Sequence, residues 1–332
     1  MNVKALIRRV NHTLKLYKLF PEHSRILVAC SGGPDSMALL HILQDIARHR
    51  HTKYKFGVAI VDHSIRPESK DEVLWLRNQV DTLGLPFYTT TFDVPTLSKD
   101  LKLSEETIGR QVRYQWLNEI AQSEGYDYIA VAHHKDDQAE SILAHLIRGT
   151  GLNGLTGMAV VSNNYDVPVI RPLLDVTKME LLAYLAHKEL TYCIDFTNDD
   201  IRYQRNRIRH RIIPELKSIN PNVVDAIARL GSSISEDLAV ISNLTAQAFE
   251  RLVTIDKHEM SLSRRALRKE PLAIQRRLWQ RLVSFIDSDI TLTTAHQEQL
   301  LDIVNTGEEK TFTIKSIKVT AQCDTIKVYC KH

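Results

Sequence analysis

Short apolar runs alternate with longer stretches of helical periodicity over the first two thirds of the chain. The apolar runs have the length of strands and are hydrophobic throughout. The runs are Arg25–Cys30, Phe56–Val61, Phe87–Phe92 and Tyr128–Ala132, and the helical stretches are Ser36–His49, Glu68–Leu83, Ser104–Glu124 and Asp136–Arg148. Strands of this kind belong to a parallel sheet that helices cover on both faces. The pattern predicts a doubly wound, Rossmann-like α/β domain with a mainly parallel sheet, ending near Pro214.

The pattern changes after Pro214. At 332 residues the chain is too long for one ordinary domain. Long helices are predicted at Val223–Phe249 and Pro271–Ile286, and short strands at Lys310–Ile314, Ile317–Thr320 and Thr325–Tyr329. We therefore predict a catalytic domain over residues 1–214, a helical linker over 215–249 and a smaller α+β domain over 250–332.

The composition indicates a soluble globular protein. Apolar residues make up 43% of the chain, charged residues 25%, and the formal net charge is only +3, so any basic surface must come from clustering. No stretch has the length of a membrane span, and the N-terminus lacks the apolar core of a signal peptide. The cysteines, which are Cys30, Cys193, Cys323 and Cys330, have no CxxC or zinc-site spacing. We predict a cytoplasmic protein with reduced thiols and no membrane partner, and the oligomeric state, including a homodimer, stays open.

A glycine-containing turn directly follows the first predicted strand and precedes the first helix of the alternating pattern. Its residues are Ser31, Gly32, Gly33, Pro34, Asp35 and Ser36. Adjacent glycines let backbone amides approach an anion, and the helix N-terminus behind them favours negative charge. The spacing is neither that of a Walker A loop nor GxGxxG. A structural turn with a serine cap is the alternative, but the position after a strand favours a phosphate-binding loop in which Asp35 binds a cation.

A second polar cluster follows the fourth strand. It runs from Ala132 to Ser141 and contains His133, His134, Asp136, Asp137 and Glu140. The spacing places carboxylates on one helix face, which by itself describes any acidic helix start. Because both polar segments follow strands, we expect Asp35 and Asp137 to face one crevice and to hold Mg²⁺ on a polyphosphate. The two histidines are candidate donors to phosphate or to a developing oxyanion, and at least one of them is expected to be structural.

Arginines concentrate in two places. The stretch Ile201–Arg211 carries five of them, of which Arg202, Arg205 and Arg209 share a face if the stretch is helical. The second concentration lies between Arg264 and Arg281 in the smaller domain. Such clusters are often solvated faces, but they also supply salt-sensitive affinity for an RNA backbone. The candidate RNA contacts are Arg202, Arg207, Arg209, Arg264, Arg265 and Arg268.

The phosphate loop resembles the SGGxDS motif of the N-type ATP pyrophosphatases, whose fold is that of the adenine nucleotide alpha-hydrolases. The cluster at Ala132–Ser141 resembles the HHxDDQxET motif of one branch, the tRNA(Ile)-lysidine synthetases. Further likenesses to that branch follow in the same order along the chain, at Gly109–Tyr114, Arg148–Met158, Arg171–Leu174, Asp195–Asn198 and Arg205–Arg209. Several motifs in register are far more specific than any one of them.

The resemblance implies a reaction. ATP adenylates the C2 carbonyl oxygen of the wobble cytidine in the CAU anticodon of tRNA(Ile), and the amine of free L-lysine displaces AMP. ATP and Mg²⁺ are the implied co-substrate and cofactor. Implied catalytic residues are Asp35, His133, Asp136, Asp137, Glu140, Arg113 and Arg205, with the general base left open between Asp136 and Glu140. Implied ATP contacts are the phosphate loop together with Asp62, His63, Arg148 and Gly149.

Three other functions fit parts of the sequence. A tRNA thiolase of the same superfamily, which would 2-thiolate a cytidine or uridine, usually needs catalytic or cluster-binding cysteines, and the four cysteines here are scattered. An amidotransferase-type ligase would need a glutaminase region for which the chain has no room. A non-catalytic RNA- or nucleotide-binding protein would have no use for Asp35 and Asp137 beside a phosphate loop.

Overall fold

The computed structural model describes residues 3–50, 52–64, 69–193, 204–256, 259–306 and 308–330. The chain divides into two compact units, Met1–Ser232 and Ser233–His332. The boundary lies inside one long helix, Val223–Leu252. The functional division into residues 1–214, 215–249 and 250–332 stays a prediction.

The first unit contains a six-stranded, mainly parallel sheet. Its strands are β1 (Arg25–Ala29), β2 (Lys55–Asp62), β3 (Phe87–Thr91), β4 (Tyr128–Ala130), β5 (Val161–Ser162) and β6 (Val169–Ile170). They lie in the order β3-β2-β1-β4-β6-β5, and β5 alone runs antiparallel to its neighbour. The predicted fold class is therefore confirmed. The strands β5 and β6 were not predicted, since two residues are too few to show a period.

Helices connect and cover these strands. They are α1 (Val3–Leu16), α2 (Pro34–Arg50), α3 (Ser69–Thr82), α4 (Val94–Leu101), α5 (Glu105–Ser123), α6 (Lys135–Arg148), α7 (Leu152–Leu155), α8 (Lys178–His187), α9 (Gln204–Arg207), a π-helical turn (Ile208–Ile212), α10 (Ile213–Ile219) and α11 (Val223–Leu252). Alternate residues of β1 enter opposite cores: Ile26 and Val28 belong to the same core as α2, and Leu27 to the same core as α5. Burial on both faces explains why β1 is apolar from Ile26 to Ala29.

The strand order reverses between β1 and β4. From β1 the chain moves outward to β2 and β3, then returns to pair β4 with the other side of β1. The carboxyl ends of β1 and β4 are therefore neighbours at a switch point, where open α/β sheets bind their ligands. The two polar segments singled out in the sequence begin at these two strand ends.

The second unit is built on a five-stranded antiparallel sheet. Its strands are β7 (Val253–Asp256), β8 (Glu259–Ser263), β9 (Lys310–Ile314), β10 (Ile317–Gln322) and β11 (Thr325–Cys330), in the order β7-β8-β11-β10-β9. Its helices are α12 (Arg264–Arg268), α13 (Leu272–Ile286) and α14 (Thr294–Thr306). Fully buried Trp279 of α13 lies in one core with Val319 and Val328 of the sheet. Among the described residues, no helix is long and apolar enough to cross a membrane.

Candidate active site

The phosphate loop is closed by its own last residue. Buried Ser36 accepts a hydrogen bond from the Ser31 backbone N–H at 3.1 Å, and its hydroxyl donates to the Gly33 carbonyl at 3.0 Å. Gly32 has a φ of +78°, a conformation that favours glycine. The loop leads directly into α2, so that the N-terminal end of a 17-residue helix stands behind it. Together the helix end and the glycine turn make a place for an anion.

The second polar segment begins α6 with a reciprocal cap. His134 is the N-cap residue: its backbone N–H donates to Asp137 Oδ2 at 2.9 Å, and the Asp137 N–H donates to His134 Nδ1 at 3.4 Å. Both side chains are buried. This arrangement fixes the Asp137 carboxylate at the mouth of the helix. His134 is therefore a structural residue, as expected for at least one histidine of the pair.

The two segments meet at His134. Its Nε2 lies 3.7 Å from Asp35 Oδ2 and 3.5 Å from Asp137 Oδ2, so one carboxylate from each strand end faces the same imidazole nitrogen. Burial acts to lower the pKa of His134, but the charges of Asp35, Asp137 and Asp136 outweigh it and raise the pKa. In the imidazolium form Nδ1 carries a proton, so that form gives up the 3.4 Å contact from the Asp137 N–H.

Both carboxylates are held in the ionised form. Burial acts to raise the pKa of Asp137, but the charges of His134 and Arg205 lower it to about 2. The pKa of Asp35 is also lowered, because the hydrogen bond and charge of His134 and the charge of Lys178 outweigh burial. Two ionised carboxylates from separate loops are a suitable pair of ligands for one cation.

A buried network joins α6 to the arginine-rich stretch. Arg205 Nε lies 2.9 Å from Glu140 Oε2 and its Nη2 2.7 Å from Asp137 Oδ1. Arg209 Nε lies 2.6 Å from Glu140 Oε1. The predicted common face of Arg205 and Arg209 is confirmed, although the chain changes from α-helix to a π-helical turn between them. Arg209, which was predicted to contact RNA, lies in this network with a side chain that is 33% exposed, and its contact with RNA stays a prediction.

A neutral histidine and a group of arginines form another side of the site. Arg171 Nε donates to His133 Nδ1 at 3.3 Å. Burial, helped by the charges of Arg171 and Arg205, lowers the pKa of His133 to about 3. His133 is therefore neutral near pH 7 and carries its proton on Nε2, which makes that atom a donor. Arg113 lies with its Cζ 5.5 Å from the centre of the Tyr114 ring, and burial lowers its pKa.

The end of β2 brings Asp62 and His63 to the same edge of the sheet. Buried Asp62 accepts a hydrogen bond from the Ser64 N–H at 2.8 Å. Burial and the charge of Arg113 lower the pKa of His63 to about 4, and its Nδ1 is buried with no hydrogen-bond partner among the described residues. A Cβ at Gly109 would lie 3.7 Å from this ring, so α5 packs closely against it. The contact of Asp62 and His63 with ATP stays a prediction.

Several predicted residues do not lie at this crevice. Arg148 and Gly149 stand at the far end of α6, about 20 Å from its first turn at 1.5 Å per residue, and Arg148 donates to Gln204. Their placement gives no support to a role in binding ATP. Arg207 is exposed, as an RNA contact requires. Arg202 and the motif at Asp195–Asn198 lie outside the described residues.

The predicted RNA contacts of the second unit differ from one another. Arg264 is only 3% exposed, and its Nη2 donates to the Glu308 carbonyl at 2.7 Å. Arg268 binds the carbonyls of Val304 and Asn305 at the end of α14. Arg265 is exposed, and it lies beside Asp324, which accepts its backbone N–H at 2.8 Å and whose pKa its charge helps to lower. The placement therefore supports RNA contact for Arg265 and speaks against it for Arg264.

The carboxylates suit a magnesium ion that is shared with substrate phosphates better than a metal ion held by protein ligands alone. Within the described ranges, no group of three or more histidine, cysteine or acidic side chains could hold a metal alone. Mg²⁺ commonly takes one or two carboxylates and completes its shell with water and substrate phosphates. The pair Asp35 and Asp137 beside a phosphate loop fits that requirement, and their role as ligands stays a prediction.

Comparison with known proteins identifies the family. The sequence pattern of the PP-loop domain matches residues 4–216. A tRNA(Ile)-lysidine synthase from Caldanaerobacter subterraneus is 31% identical over 98% of this chain and 68% of its own length. The chain belongs to the tRNA(Ile)-lysidine synthase family. Another member of the family, from Thermosipho africanus, is 39% identical over 74% of this chain and 56% of its own.

Coverage and fold complete the comparison. This chain spans about half the length of the synthases from Thermosipho africanus and Porphyromonas gingivalis, with 56% and 52% of those proteins matched. Among solved structures, the U34-tRNA thiolase of Methanococcus maripaludis with its [4Fe-4S] cluster aligns with a TM-score of 0.59. The alignment covers 70% of this chain and 78% of that one at 19% identity, which shows a common fold and no more.

Two residues of the site were given no role from the sequence, although Arg171 begins one of the motifs that resemble the family. Arg171, in the Arg-Pro-Leu-Leu stretch, orients His133, and Lys178 binds Asp35 at 2.6 Å. A usable signal existed for the second: Thr177 and Glu180 form the T-x-x-E capping box that begins α8. No local pattern could have shown that this helix start meets the phosphate loop, because 143 residues separate Lys178 from Asp35.

Proposed function

We propose that this protein is a tRNA(Ile)-lysidine synthetase: a ligase that joins L-lysine to C2 of the wobble cytidine in the CAU anticodon of tRNA(Ile). The reaction forms a carbon–nitrogen bond through an adenylated intermediate and converts ATP to AMP and pyrophosphate. The observation that carries the proposal is the meeting of Asp35 and Asp137 at one imidazole nitrogen beside the phosphate loop. Membership of the family supplies the identity of the substrates.

The first half of the reaction needs a polyphosphate held in place. Backbone amides of the glycine turn and the N-terminal end of α2 supply donors and a positive potential for it. Mg²⁺, when bound by Asp35 and Asp137, would offset charge that accumulates on the departing pyrophosphate. The Nε2–H of His133 is a neutral donor suited to the α-phosphate or the cytidine oxygen.

The second half needs a neutral amine, so a group in the crevice must accept a proton from the lysine ammonium. The candidates are Asp136 and Glu140. Both oxygens of Glu140 already accept hydrogen bonds from Arg205 and Arg209. Asp136 accepts the Lys178 N–H on Oδ2, and Oδ1 has no recorded partner within the described ranges. This difference favours Asp136 as the base and Glu140 as a residue that positions the arginines.

The RNA requires an exposed cationic surface. Arg207 and Arg211 are exposed on the stretch in which Arg205 and Arg209 bind carboxylates of α6, and Arg265 is exposed in the second unit. Such side chains bind phosphates without reading sequence, which leaves recognition of the anticodon to contacts with unstacked bases.

Four incubations of the purified protein test the proposal. All four contain Mg·ATP. Three of them contain radiolabelled lysine with no tRNA, with a CAU transcript, or with the same transcript carrying guanosine at the wobble position, and the fourth contains the CAU transcript with a sulfur donor in place of lysine. We expect acid-precipitable lysine only with the CAU transcript and lysine, together with one pyrophosphate per product. Pyrophosphate release without lysine-dependent product would contradict the proposal, and a thiolated product would assign the protein to the thiolases.

A further inference from the structure

A lysine outside the sequence motifs lies against the phosphate loop. Lys178 is the first residue of α8, and its Nζ lies 2.6 Å from Asp35 Oδ1. Its backbone N–H donates to Asp136 Oδ2 at 2.8 Å. One residue thus binds a carboxylate from each of the two polar segments that define the crevice.

The backbone of Lys178 is fixed, whereas its side chain is held at its tip alone. Thr177 and Glu180 cap α8 reciprocally: the Thr177 N–H donates to Glu180 Oε2 at 2.9 Å, and the Glu180 N–H donates to Thr177 Oγ1 at 3.3 Å. The Lys178 side chain is 34% exposed, and Asp35 is its one recorded partner in the described ranges. An ammonium has three N–H donors, so two of them remain available to a ligand.

Carboxylates and basic side chains already contact one another in the crevice. The carboxylates of Asp35, Asp136, Asp137 and Glu140 lie against Lys178, the His134 imidazole, Arg205 and Arg209. Arg205 and Arg209 both bind Glu140, which is 1% exposed, so their guanidinium groups are already paired with a buried carboxylate. Lys178 instead binds Asp35, the predicted metal ligand of the loop, which also faces the His134 imidazole.

We propose that Lys178 binds the β and γ phosphates of ATP when Asp35 exchanges it for Mg²⁺. Mg²⁺ would take over the counter-charge of Asp35 and Asp137, which frees Lys178 for the phosphate oxygens. The loop has no lysine of its own, unlike a Walker A loop, so α8 supplies the cation from 143 residues away. The inference rests on the proposed function, because it concerns the same ATP site.

Calorimetric titrations with ATP, AMP and pyrophosphate, each with Mg²⁺, test the assignment. For Lys178→Met we expect the Kd for ATP and for pyrophosphate to rise about tenfold or more, since charge-assisted hydrogen bonds are lost, while the Kd for AMP changes less than about threefold. Lys178→Arg should restore the ATP affinity to within about threefold of the native protein. Lys188→Met is the matched control at the other end of α8, where Nζ lies 2.7 Å from Asp45, and it should bind all three ligands as the native protein does.

The outcomes separate the two proposals. If the native protein binds neither ATP nor pyrophosphate, the proposed function itself is wrong. If the native protein binds ATP and Lys178→Met binds it equally well, or loses ATP and AMP to the same degree, the assignment of Lys178 to the β and γ phosphates is overturned and the proposed function stands. Should Lys178→Met not fold, Lys178→Gln, which keeps donors without the charge, is judged by the same ratio of ATP to AMP affinity.

Discussion

The two sides of the crevice hold their carboxylates in different ways. On the loop side, Asp35 is 31% exposed and pairs with one flexible lysine and the edge of one imidazole. On the helix side, Glu140 is almost fully buried and binds two arginines through both oxygens. The loop side is thus built from contacts that a ligand can exchange, and the helix side from contacts that hold the fold. Asp137 belongs to both sides, since it faces His134 and Arg205.

The largest effect is expected from removing the carboxylates that face the phosphate loop. Asp35→Ala and Asp137→Ala should each lower turnover by about a hundredfold to a thousandfold or more, because each removes a predicted ligand of the Mg²⁺ that would offset the phosphate charge, while tRNA affinity is retained. Steady-state pyrophosphate release and a filter-binding assay with tRNA measure the two effects. Only Asp137→Ala should also lower the free energy of unfolding, since Asp35 is not part of the buried network. If Asp35→Ala stays active, the loop side does not bind the ligand through Asp35, and the contrast with the helix side is lost.

The next effect concerns stability. Glu140→Gln should lower the free energy of unfolding by about 2–3 kcal/mol, because it removes one of the two carboxylates that Arg205 and Arg209 share and leaves them only Asp137. The value lies below that of a fully buried pair, since Arg205 and Arg209 are 34% and 33% exposed. Urea denaturation measures it, and exposed Glu189→Gln serves as the control that should unfold like the native protein. Equal unfolding midpoints for the two variants would show that Glu140 contributes no more to stability than an exposed glutamate does.

The pH dependence of stability tests the neutral state of His133. Its folded pKa of about 3 lies below the ordinary value of 6.5, so the unfolded chain binds the proton first, and stability falls as the pH drops below about 6.5. At pH 5 the loss from this one group is about 2 kcal/mol. His133→Gln should show a smaller loss of stability between pH 6.5 and pH 5 than the native protein when urea midpoints are compared. Parallel curves for the two proteins would mean that His133 is charged in the folded state.

The smallest effect is expected in the second unit, which repeats the contrast between an exposed cation and a buried one. Arg265→Ala should weaken tRNA binding by about 1 kcal/mol or less and reduce the slope of log K against log salt by about 1, without a change in stability. Buried Arg264→Ala should instead lower the unfolding midpoint, since its Nη2 binds the Glu308 carbonyl. Binding at several salt concentrations and urea denaturation distinguish the two. If both variants lose the same RNA affinity and unfold at the same urea concentration, burial does not distinguish an arginine that binds RNA from one that stabilises the fold.

Much of the first unit follows from local pattern, because its central strands β1 and β2 are buried along most of their length. The predicted segments Arg25–Cys30 and Phe56–Val61 lie within one residue of β1 and β2 at each end. The meeting of Asp35 and Asp137 could likewise be expected, because both follow strands that neighbour each other at the switch point. By contrast, β7 and β8 were not predicted.

The orientation of the arginines could not be read from the sequence. The spacing of Arg205 and Arg209 shows that they share a face, but not whether that face meets solvent or Glu140. The same holds for Arg264, which lies among basic neighbours in sequence and in the interior of the fold. The contact of Lys178 with Asp35 could not be predicted either, because it depends on how α8 packs against α2.

The most direct test of the account is a crystal structure of the protein with Mg²⁺ and an ATP analogue that cannot be cleaved between the α and β phosphates. We expect the triphosphate on the glycine turn at Ser31–Ser36, with one metal ion bound by Asp35 and Asp137 and with Lys178 moved from Asp35 to a phosphate oxygen. A nucleotide bound elsewhere, or Asp35 and Asp137 directed into separate cavities around it, would contradict the account.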